Sequence, residues 1–111
     1  MDKFIKDLAK KILNEVQFAD TFPYTKQDRK LTTEEIIRSI REMIASEHEA
    51  VHMYTQLVET TDNKLVQKVV QDIADEEKVH IGEFMKLLFA LDPKEKDYYE
   101  KGFEEVKKIE I

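Results

Sequence analysis

No cysteine occurs in the 111 residues. Its absence excludes disulfides, thiolate zinc sites and a catalytic Cys, and it leaves the redox compartment open. Tryptophan is also absent, and glycine and proline are scarce at two each. With so few breakers and 38% charged residues, the chain reads as helical. Long apolar runs are missing as well: the longest, residues 87–91, is far too short to span a bilayer. No secretory core is visible, so a cytoplasmic location is the default expectation. Nor is there an excess of basic residues. The 24 acidic against 18 basic side chains give a net charge of −6. That balance argues against a nucleic-acid partner, and it fits either cation attraction or an ordinary acidic surface. The length allows one small domain.

What is present is mostly helical periodicity. Residues 2–18 place Phe4, Ile5, Leu8, Ile12, Leu13 and Val16 at helical spacing. The opposite face carries Lys3, Lys6, Lys10 and Lys11, and packing on the chain's own bundle or a neighbouring subunit is favoured over a membrane surface. A linker over 19–31 holds Phe22, Pro23 and Tyr24. The expected division is thus 1–31, an N-terminal amphipathic helix and linker, and 32–111, a helical hairpin with a C-terminal helix. Thr32 to Glu35 forms a capping-box pattern that opens a helix running to about Thr60. Asp62 can cap the next helix, which should reach Leu91; Asp92 and Pro93 then restart a last helix over 93–108, weakened by Gly102.

Both long helices interrupt their apolar stripes with ionisable groups. The first stripe reads Ile36, Ile40, Ile44, Glu47, Val51, Tyr54, Val58. The second reads Val66, Val69, Ile73, Glu77, His80, Phe84, Leu87, Leu91. Glu77 and His80 form a Glu-x-x-His pair, one turn apart on one helical face. Glu47 lies fifteen residues before Asp62 and Glu77 fifteen after it. Folding back at that break sets both carboxylates at one height, about 22 Å from the turn. A buried unpaired carboxylate costs several kcal/mol, so these groups need a partner or a metal. A Glu–His pair without metal, or a stripe drifting towards solvent, is the structural alternative.

Di-iron carboxylate bundles take two Glu from two helices and two Glu-x-x-His motifs from two more. One chain supplies half of that set and half a four-helix bundle, which a two-fold copy would complete. Such oxygen-rich ligation with two imidazoles suits Fe(II), and Mn(II) or Zn(II) can substitute. Among the other polar residues, Glu49 could line the way in or be a plain helix charge, and Tyr54 could support the site or be core. His48 and His52 form an i, i+4 pair; Glu76, Glu83 and Met53 read as packing or surface.

From about Leu31 to Val106 the chain resembles the encapsulated ferritins. The resemblance rests on Glu47-His48-Glu49-Ala50-Val51-His52-Met53-Tyr54 and on Asp75-Glu76-Glu77-Lys78-Val79-His80. It extends through Gly82-Glu83-Phe84-Met85 and Leu91-Asp92-Pro93 to Gly102-Phe103-Glu104-Glu105-Val106. Ser46 stands where some members carry Glu, and Met53 where some carry Trp. The resemblance implies an all-α, ferritin-like antiparallel two-helix hairpin that completes a four-helix bundle by dimerisation. It further implies a ferroxidase with two irons per dimer interface, held by Glu47, Glu77 and His80, with Tyr54 nearby and Glu49 on the approach side. The homodimers would assemble into a ring, a decamer, inside an encapsulin nanocompartment whose shell protein is separate or fused. Two other functions stay open: a rubrerythrin-like di-iron oxygenase or peroxidase, and a structural helical dimer with a vestigial site.

Overall fold

The computed structural model describes residues 2–8 and 29–109. The chain divides between Thr32 and Thr33 into two compact units. In the first, residues 3–8 are helical, and the Asp2 carboxylate accepts a hydrogen bond from the Phe4 amide at 2.6 Å. The rest of the expected N-terminal helix, and Phe22, Pro23 and Tyr24 of the linker, lie outside the described residues.

The second unit contains three helices: α1, Thr33–Thr60; α2, Lys64–Leu91; and α3, Pro93–Lys107. Helix α1 begins at Thr33, the start that the capping-box pattern in the sequence indicates. Glu34 and Glu35 lie in its first turn, where the helix dipole favours negative charge. A three-residue turn, 61–63, reverses the chain, so α1 and α2 pack as an antiparallel hairpin. Gln67 fastens the turn by donating from Nε2 to the Thr61 carbonyl at 2.6 Å. The cap of α2 is Asn63, one residue later than the expected Asp62; its side chain accepts from the Val66 amide at 3.1 Å. Asp92 caps α3 as its sequence indicates, accepting from the Glu95 amide at 3.2 Å with Pro93 in the first turn.

The core is small. Ile37, Ile40 and Leu88 are buried together, with Ile44, Phe84, Leu91 and Tyr99 packed around them, and Ala74 lies fully buried elsewhere on α2. Helix α3 is held on the hairpin by Tyr99, whose ring meets Phe89 edge-on at 5.4 Å, and by an ion pair. In that pair Arg41 of α1 donates from Nε and Nη2 to Glu95 Oε1 at 2.9 and 2.6 Å. Burial, then the neighbouring Glu95 carboxylate, raises the Tyr99 pKa above the usual tyrosine value.

The expected stripes are only partly the buried faces. Ile37, not Ile36, turns inward on α1, and Ile36 is exposed. On α2, Val69, Ile73 and Leu87 are also exposed. The physical reason is the breadth of the apolar arc: each helix offers more than a single neighbour can cover. A two-helix contact buries the arc's middle and leaves a flank open. With Met43 and Leu57 of α1, and Leu65, Val69, Ile73 and Leu87 of α2, that flank is apolar.

Candidate metal centre

Glu47 sits at mid-height of α1, on the border between the buried seam and the open flank. The matching border of α2 carries Glu77 and His80, brought to the same height by nearly equal distances from the turn. His80 Nδ1 lies 3.4 Å from Glu47 Oε2 and 3.6 Å from Glu77 Oε2. One donor atom from each of the three falls within 4.8 Å of the others. The two carboxylates are mostly covered, at 22% and 17% side-chain exposure, while the imidazole is 49% exposed. The group is therefore closed on the hairpin side and open towards the flank.

The atoms fit a cation better than they fit each other. Glu47 Oε2 is buried and has no hydrogen-bond partner. Both imidazole–carboxylate distances are long for hydrogen bonds. Among the described residues, His80 is the only oppositely charged side chain near either Glu, and it carries charge only when protonated. A divalent cation would supply the missing partner to both carboxylates while taking a neutral imidazole nitrogen as ligand.

The remaining candidates stand apart from this group. Tyr54, two turns beyond Glu47, is half-buried, whereas Glu49, His48 and His52 are exposed. None of these four belongs to the three-residue group. His48 instead lines a groove on the other side of the hairpin, with Arg41, Ile44, Ala45, Met85, Leu88 and Tyr99. Glu83 is exposed, within the packing-or-surface reading of the sequence. With Glu47, His80 and Phe84 it lines a depression that opens onto the site. Its position three residues after His80 was the available signal.

Residues 3–88 and 40–110 match the family model named Rubrerythrin. The chain is 40% identical over 83 residues to a ferritin-like-encapsulin shell fusion protein of Pyrococcus furiosus. That stretch covers 75% of this chain and 24% of the relative's length. An encapsulin nanocompartment cargo protein, EncC of Myxococcus xanthus, is 33% identical over 81 residues, covering 73% of this chain and 62% of that protein. The chain thus spans about a quarter and under two thirds of these relatives' lengths. Among solved structures, the encapsulated ferritin domain of Pyrococcus furiosus superposes with a TM-score of 0.73 at 39% identity. This similarity covers 76% of this chain and 86% of that one. With its helical hairpin and its Glu, Glu-x-x-His group, the chain belongs to the rubrerythrin family and, within it, to the encapsulated ferritins.

Proposed function

We propose that two copies of the chain pair through the open apolar flank and that their joined sites are a ferroxidase centre. The observation that carries this reading is the position of the half-site. Glu47, Glu77 and His80 lie on the border of an uncovered apolar face, and one buried carboxylate oxygen lacks a partner. A second copy related by a two-fold axis would cover the flank and bring four carboxylates and two imidazoles together. Two Fe(II) ions are then substrate, each giving one electron to O2. Glu47 and Glu77 hold the ions by charge, and the imidazole nitrogens of His80 complete their ligation. The covered seam keeps bulk water from the buried carboxylate oxygens, and the depression lined by Glu83 and Phe84 at the flank's edge admits iron and oxidant.

The relatives' association with encapsulin suggests where the product goes. A two-helix protomer would spend its apolar surface on its twin, and by the resemblance to the encapsulated ferritins rings of such dimers would enclose no mineral cavity. The ferric product would be released into an encapsulin shell, separate or fused, which would store it. The competing reading is a rubrerythrin-like di-iron oxygenase or peroxidase, and in its peroxidase form H2O2 replaces O2 as oxidant.

Oxygen uptake after anaerobic loading with Fe(II) tests the proposal, with H2O2 as a parallel oxidant. Glu47→Ala, Glu77→Ala and His80→Ala should each abolish Fe(II)-dependent O2 consumption. Near-normal turnover in His80→Ala would overturn the assignment, and oxidation by H2O2 alone would transfer it to the competitor.

A further inference from the structure

The depression beside the site contains one ionisable group that the ferroxidase reading leaves unused. Its lining is Glu47, His80, Glu83 and Phe84. Glu47 and His80 are ligand candidates and Phe84 is an apolar wall packed on the core. Glu83 remains, an exposed carboxylate one turn beyond His80 on α2. It is not among the three side chains whose donor atoms converge. Nor does any Lys, Arg or His form an ion pair with it among the described residues.

We propose that Glu83 is the capture carboxylate of the site: it draws hydrated divalent cations into the depression and passes them to Glu47 and His80. This rests on the ferroxidase reading and deepens it by naming a residue that governs how substrate arrives. Three observations lead to it. The hairpin covers the carboxylates of Glu47 and Glu77 and pairing would close the flank side, which leaves the depression beside His80 as the approach. A cation entering there meets Phe84, an apolar wall, and Glu83, whose carboxylate can attract it. By helical spacing, Glu83 also lies at the outer edge of the flank formed by Val69, Ile73 and Leu87, so pairing through that flank leaves it at the rim. A negative group at the mouth of a partly desolvated cleft raises local cation concentration and association rate without adding to final ligation.

The test is a rate and KM comparison at two ionic strengths, using the full chain and Glu83→Gln, Glu83→Asp and Glu104→Gln variants. Glu104, exposed on α3, controls for net charge alone. At about 20 mM salt, Glu83→Gln should raise the apparent KM for Fe(II) about three- to tenfold with kcat unchanged, and Glu83→Asp should restore most of it. At about 0.5 M salt the difference should vanish, because screening removes capture and spares direct ligation. Equilibrium Co(II) binding, read from its visible absorption, should keep the wild-type number of ions, while stopped-flow Co(II) association slows by the same factor. The Co(II) rates stand even if the protein oxidises no iron, so failure of this inference is separable from failure of the ferroxidase reading. A Glu83→Gln protein indistinguishable from Glu104→Gln would overturn it. So would loss of bound Co(II) or of kcat, either of which would make Glu83 a ligand.

Discussion

Glu47→Leu should make the metal-free protein more stable while destroying its response to metal. The wild-type Glu47 Oε2 is buried without a hydrogen-bond partner. An unmet buried acceptor costs about 1–3 kcal/mol. Leu removes that cost and adds part of the roughly 1.5–3 kcal/mol of a buried aliphatic side chain. The 22% residual exposure and the His80 imidazole at 3.4 Å reduce both contributions, leaving a net gain of about 1–2 kcal/mol. For a unit of this size that is a rise in Tm of about 4–16 °C. Saturating metal works in the opposite sense: ligand at a hundred times its Kd stabilises the wild type by about 2.7 kcal/mol and the variant not at all. The assay is thermal unfolding followed by circular dichroism at fixed protein concentration, with chelator and with Co(II). A Glu47→Leu protein that melts below the wild type in chelator, or that keeps the Co(II) shift, would refute the reasoning.

Other parts of the fold give further expectations. Arg41→Met leaves the Glu95 carboxylate, only 14% exposed, without its cation, which should cost about 1–3 kcal/mol and loosen α3 first. Hydrogen exchange should then show faster exchange in Pro93–Lys107 than in the hairpin, and uniform loss would contradict it. Tyr99 has a raised folded pKa, so its stabilising contribution is complete below the unfolded value of about 10 and is lost as pH rises through the folded value. Tyr99→Phe should flatten the alkaline fall in Tm, and an unchanged slope would exclude Tyr99 as its source. A methyl group at Gly102 meets nothing within 4 Å, so Gly102→Ala should stabilise α3 by up to about 1 kcal/mol. A lower Tm in that variant would mean that another surface closes on the position.

The hairpin and its site were legible because their signals are local and periodic. Caps, a single break at 61–63 and equal distances from it were enough to bring Glu47 opposite Glu77 and His80. Apolar periodicity was less decisive, since Ile36 and Ile37 are both apolar and only packing selects Ile37. The Arg41–Glu95 clamp joins residues 54 positions apart and left no pattern to read. Glu83 reads as surface and is exposed, and an exposed helical Glu looks the same in sequence wherever it points. Its place beside the site depends on the rotation of α2 against α1.

The claim that two chains share one centre is tested most directly by light scattering coupled to size exclusion, with bound metal counted in the same peak. Anaerobic Fe(II) should bind at one equivalent per chain and at least double the mass, and chelator should reverse both. Fe(II) held tightly by a species of monomer mass, or an assembly state indifferent to Fe(II) and chelator, would contradict the account.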